Sequence, residues 1–155
     1  MTRRDRERAA WSLRAVIRVV AREVFGAPMV TRHVPGLSTP LQDVEPIAGV
    51  RAAVFARDVA TGQVREYAKQ ARGAGHSWDD IAQGLGLDRV DGPQTRAQRA
   101  YLHLAAAHWR CTSCGALVTD RGPFKTAPEA NENGHATGCA RYAAEITAYR
   151  QGNDQ

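Results

Sequence analysis

Ala71-Arg72-Gly73-Ala74-Gly75-His76-Ser77-Trp78-Asp79-Asp80-Ile81-Ala82-Gln83-Gly84-Leu85-Gly86-Leu87 is the stretch on which the reading of the fold turns. Its glycines at 73 and 75 end a preceding helix, since glycine takes the left-handed conformation that helix ends favour. Ser77 and Asp80 stand three apart ahead of an apolar run, the spacing of a capping box. The Ser77 hydroxyl accepts from the Asp80 amide and the Asp80 carboxylate reaches back to the Ser77 amide. Trp78, Ile81, Ala82 and Leu85 give the short helix one apolar side, Gly84 and Gly86 stop it, and Leu87 returns to the core.

Upstream, residues 5–25 read as an amphipathic helix. Ala9, Leu13, Val16, Ile17, Val20 and Val24 recur at helical spacing, with Arg4, Arg8, Arg14, Arg18 and Arg22 on the other side and Trp11 within that basic stripe. The Arg stripe is either a solvated face or a phosphate-facing one. Gly26, Pro28, Pro35, Gly36 and Pro40 turn residues 26–45 into a linker or irregular loop, which Met29, Val30 and Val34 can pin to the core. Helix resumes at Pro46, a favourable first-turn residue, and Ile47, Val50, Val54, Val64, Ala68 and Ala71 carry its apolar stripe to about residue 72. Arg57, Asp58 and Thr61-Gly62 interrupt that stripe and are expected to kink or split the helix.

Downstream, Asp91-Gly92-Pro93 opens a further helix expected to run to about Trp109. Ala97, Tyr101, Leu104 and His108 share one face, and Arg96, Arg99, His103 and Arg110 the other. Then comes Cys111-x2-Cys114-x20-His135-x3-Cys139. A C-x2-C turn followed by Gly115 puts two thiolates on one side of a metal. His135 and Cys139, four apart, would present both donors from one helical turn. Four S/N donors suit tetrahedral zinc, and a filled set of four is the pattern of a structural site. A catalytic zinc keeps an open position, so no enzymatic activity is expected. Ala116-Leu117-Val118-Thr119 is the one β-prone stretch of this region, where a small hairpin can form, and a last helix is expected over 136–150 with Tyr142, Ile146 and Tyr149 inward.

The chain has 155 residues, 43% of them apolar, and a net charge of +5. Residues 1–110 hold 17 Lys+Arg against 11 Asp+Glu, and residues 111–155 hold 4 against 5, so the basic excess belongs wholly to the helical part. Nineteen of the 21 basic residues are arginine, whose planar fork suits phosphates and base edges; a GC-rich genome explains much of the same bias. Three cysteines, no apolar run of membrane-spanning length and no signal-peptide pattern suggest a cytoplasmic protein with reduced thiols.

The order of a long helix, a glycine break, a short capped helix, a glycine turn and a basic helix suggests a helix-turn-helix unit. Over roughly residues 46–105 the sequence resembles helix-turn-helix segments of actinobacterial proteins with an A-G-x-S-W-x-x-I pattern, from which Asp88-Arg89-Val90-Asp91-Gly92-Pro93 departs by lengthening the turn. Cys111-x2-Cys114-Gly115, Thr119-Asp120-Arg121-Gly122-Pro123 and Gly134-His135-Ala136-x2-Cys139-Ala140-Arg141 resemble small zinc modules of uncharacterised actinobacterial proteins. The resemblance and the patterns together imply an all-α fold: an N-terminal helix and loop over 1–45, a helix-turn-helix-like region over 46–110, and a small zinc module over 111–155. The expected function is sequence-specific binding of double-stranded DNA by a homodimeric transcriptional regulator. Gln94, Arg96, Gln98, Arg99 and His103 would face the DNA, Arg89 would contact phosphate, and Cys111, Cys114, His135 and Cys139 would hold a structural zinc. The rival is a zinc-stabilised protein-interaction module that binds no DNA.

Overall fold

The computed structural model describes residues 2–33, 35–36, 38–87 and 93–153. The elements in order are α1 (Arg3–Glu23), β1 (Met29–Arg32), β2 (Leu41–Val44), α2 (Pro46–Ala74), α3 (Trp78–Gly84), α4 (Arg96–Leu104), β3 (His108–Arg110), β4 (Leu117–Asp120), α5 (Pro128–Asn131), β5 (Glu132–Asn133) and α6 (Ala140–Asn153). The chain divides into two compact units, 1–61 and 62–155.

The expectation of an all-α fold is overturned. Two antiparallel sheets are present, β1-β2 and β3-β4-β5. The first lies in the stretch assigned to a loop. Met29 pairs with Val44 and Arg32 with Leu41, so the prolines and glycines fall at the ends and turn of a hairpin. The second begins where helix was expected. Helix α4 stops at Leu104, Ala105 takes a left-handed conformation (φ 47°), and His108–Arg110 turn into a strand opposite Leu117–Thr119. Three consecutive alanines favour helix, but burying Trp109 in the sheet overrides that propensity.

In the first unit, Thr2 caps α1 through a box with Asp5. Glu45 caps α2, its two carboxylate oxygens accepting from the Ile47 and Ala48 amides at 2.9 and 2.8 Å; these bonds hold its pKa below the usual value. The core is small: Ala21, Ala27, Val44, Ala48 and Ala52, with Ile17 and Val20 against it. Only the last turns of α1 therefore pack. Leu13, Val16 and Val24 of the expected inward stripe are exposed, as are Ile47, Val50 and Val54 of α2. Trp11 is 63% exposed, with the Arg14 guanidinium 5.6 Å from its ring centre.

Helix α2 is not split at Arg57–Gly62, where a kink or a split was expected; the Thr61 hydroxyl donates to the Arg57 carbonyl at 2.9 Å. In the second unit α2 ends as read, with Gly75 at φ +100° and the His76 and Gly75 amides donating to Ala71 and Arg72 carbonyls at 3.0 Å. This is a Schellman ending. Ser77 and Asp80 close the expected capping box on α3. Trp78, Ile81 and Ala82 then pack with Ala68, Ala100, Leu104 and Ala106, and Leu85 and Leu87 lie against them.

Candidate metal centre

The β3-β4-β5 sheet and two tight turns bring the four expected ligands together. The first turn follows β3: the Cys111 amide donates to Ala116 O (2.9 Å), the Gly115 amide to Cys111 O (2.8 Å), and Gly115 sits at φ +72°. The second precedes α6. His135 and Cys139 lie in this turn and not on a helix as expected, because α6 begins only at Ala140. The Cys139 amide donates to Ala136 O, and Cys139 O accepts from Ala143 as the first helical bond of α6. Gly134 permits the crossing, since a Cβ there would meet the Leu117 carbonyl oxygen at 2.7 Å.

The donor atoms of Cys111, Cys114, His135 and Cys139 all lie within 4.8 Å of one another and can hold a metal ion. Cys111 Sγ and Cys139 Sγ are 3.8 Å apart, well beyond a disulfide bond. Cys114 Sγ and His135 Nδ1 are also 3.8 Å apart. A tetrahedron of sulfurs about 2.3 Å from zinc has edges of about 3.8 Å, which the Cys111–Cys139 separation matches, and the sulfur–nitrogen edge is about 3.5 Å.

The surroundings prepare these donors unequally. Amides of Ala116 and Ala136, and then His135, lower the Cys114 pKa to about 6. The Tyr142 amide, in the first turn of α6, lowers that of Cys139. Burial raises Cys111, which lies with Trp109, Val118 and Cys139 in a small core. The His135 ring stacks on Tyr142, centres 4.3 Å apart. Its Nε2 faces Glu132 Oε2 at 3.1 Å, leaving Nδ1 toward the sulfurs. A ligating histidine commonly gives its second N–H to such a carboxylate.

Around this cluster lie residues that sequence reading left without a role. Asp120 is 1% exposed. Its Oδ2 accepts from Arg72 Nε at 3.1 Å and from the Trp78 and Trp109 indoles at 3.0 Å each, and its Oδ1 from the Gly122 amide at 2.8 Å. Glu132 is 3% exposed and accepts from Arg72 Nη2 and, at 3.0 Å, from Arg141 Nη1. The Asp120-Arg121-Gly122 turn was the sequence signal for Asp120: the carboxylate caps its own turn.

The proposed DNA-facing residues distribute as follows. Gln94 is exposed, just before the N-cap Thr95, and His103 is exposed in the last turn of α4. Arg96 is half-buried, its Nε donating to Asp79 at 2.9 Å. Gln98 closes the capping box with Thr95 and donates to the Pro123 carbonyl at 3.3 Å, so both ends of its amide serve the fold. Arg99 is half-buried and, with His103, Leu85 and Leu87, lines one hollow. Arg89 lies outside the described residues. Comparison with protein-family models, with curated proteins and with solved structures finds no match to this chain. No helix among the described residues is long and apolar enough to cross a membrane.

Proposed function

We propose that the chain is a DNA-binding protein whose helix-turn-helix unit is α3 and α4, braced by a structural zinc on Cys111, Cys114, His135 and Cys139. One observation carries the reading of the helices. Trp78, Ile81 and Ala82 of α3 pack on Ala100 and Leu104 of α4, so Arg99 and His103 flank that packing, beside Leu85 and Leu87. In a major groove, Arg99 offers a fork to guanine and Gln94 an amide to adenine. Arg96 and Gln98 serve mainly to hold the helix: Arg96 through Asp79 and Gln98 through its cap. Zinc is preferred over other metals because three thiolates and one imidazole are a closed tetrahedral structural set, with no position left for a substrate.

Homodimerisation belongs to the same proposal, because one short reading helix gives limited affinity. The first unit exposes the apolar side chains Leu13, Val16, Ile47, Val50 and Val54, which are available to a second copy. Their exposure equally favours the second reading, a module that docks on another protein. Anisotropy of labelled genomic fragments at two salt concentrations separates the two. DNA binding loses affinity steeply as salt rises, whereas the absence of any binding at low salt leaves the interaction module as the function.

A further inference from the structure

Within the second unit the metal cluster and the helices share one buried polar network. Arg72, in the last turn of α2, reaches Asp120, Glu132 and, at 2.5 Å, the His76 carbonyl. Trp78, the first residue of α3, donates to the same Asp120 oxygen. Glu132 turns its other oxygen to His135, so a single carboxylate separates a ligand from the guanidinium that ends α2. A second tie is independent of the first. Thr112, between Cys111 and Cys114, gives its amide and its hydroxyl to the Gly73 carbonyl at 3.0 and 2.8 Å, one of the carbonyls that a helix end leaves open. Helix α4 is held in turn by the Tyr101 hydroxyl on Asp120 O and by Gln98 on Pro123 O.

We propose that Glu132 fixes His135 for ligation through Nδ1, and that the metal, acting through Glu132, Asp120 and Arg72, holds the α3–α4 pair in place. The zinc region is then no appendage: metal loss disorders the helices as well. This rests on the metal assignment above and is independent of DNA binding. The physical reason is a shortage of other support. Strands of three, four and two residues are marginal without further cross-linking, so the 108–139 region opens when its donors lose their common ion. Arg72 is then left buried without its carboxylates, which is strongly destabilising. Helices of seven and nine residues do not persist alone.

The test is hydrogen exchange on the full chain, zinc-loaded and then stripped with a chelator. Amides of α3 and α4 are expected to lose protection together with residues 108–139, by roughly 10-fold or more, while α1 in the other unit is unchanged. Loss confined to 108–139 overturns the coupling, and a parent chain that takes up no zinc overturns the metal assignment itself. Glu132→Gln supplies the second readout. At saturating zinc it is expected to keep the parental circular dichroism, while its zinc affinity, measured against a chromophoric chelator, falls about 10–100-fold. An affinity equal to the parent's overturns the role given to Glu132.

Discussion

Two glycines of one helix are expected to respond to the same substitution with opposite signs. Gly62 and Gly73 both lie inside α2. Glycine within a helix costs about 0.8–1.0 kcal/mol relative to alanine, so propensity alone makes Gly62→Ala and Gly73→Ala equally stabilising. The surroundings separate them. A Cβ at Gly62 meets nothing within 4 Å, whereas one at Gly73 lies 2.4 Å from the Arg110 carbonyl oxygen. Real Cβ atoms essentially never stand closer than 3.0 Å, and this neighbour is backbone, fixed between the β3 ladder and the Cys111–Gly115 turn. The strand must withdraw, and the two Thr112 bonds to the Gly73 carbonyl weaken with it. Overpacking of this kind costs about 1–3 kcal/mol, and each weakened hydrogen bond about 0.5–1.5 kcal/mol. Against a propensity gain near 1 kcal/mol, the net for Gly73→Ala is a loss of about 1–5 kcal/mol. Since about 1 kcal/mol moves the midpoint of a domain this size by about 4–8 °C, thermal unfolding of zinc-loaded protein resolves it. Gly62→Ala should be unchanged or raised by a few degrees, and Gly73→Ala lowered by about 5 °C or more. A Gly73→Ala variant as stable as Gly62→Ala would refute the close docking of the zinc turn on the end of α2.

Three further outcomes are expected. Ser77→Ala removes the side-chain acceptor that caps α3 and should cost about 1 kcal/mol, read as a lowered midpoint in the same thermal assay; an unchanged midpoint argues against the cap. Without metal, the Cys114 thiol is held near 6 against 9.0 unperturbed, so protons compete with the metal for it only below about 6. Zinc affinity from chelator competition should fall progressively as pH drops below 6, and an affinity unchanged between pH 7 and pH 5 would contradict the assignment. If Arg99 reads guanine, Arg99→Ala should cost about 1–3 kcal/mol of DNA affinity and relax preference at one base pair; a uniform loss across sequences with a salt slope reduced by about 1 would make it a phosphate contact.

The residues that cluster as candidate metal donors and the start of α3 were legible in the sequence because their determinants are local. The C-x2-C and H-x3-C spacings and the Ser77–Asp80 box each lie within five residues. Of the strands, β4 was legible in the β-prone Ala116–Thr119 stretch, and the others were not, for two reasons. Met29–Arg32 and Leu41–Val44 are four-residue strands whose flanking prolines and glycines outweigh them in any window. Ala105–Ala107 carry strong helix propensity, and the burial of Ala106 and Trp109, the Asp120 amide on Ala107 O and the Trp109 bond to Asp120 hold the chain out of the helix there. The exposed stripe of α1 shows the converse: periodicity identifies an amphipathic helix but not whether its own chain covers the apolar side. The Arg72–Asp120–Glu132 network joins residues 48 and 60 apart in sequence. No spacing rule reaches across that distance, and Arg72 reads as one more arginine until the β4 and β5 carboxylates are seen beside it.

Zinc K-edge absorption of the purified chain tests the metal centre on which the account depends. The expected spectrum has three sulfurs at about 2.3 Å and one nitrogen at about 2.0–2.1 Å around one zinc per chain. Protein purified without zinc, or a first shell holding fewer than three sulfurs, would contradict it.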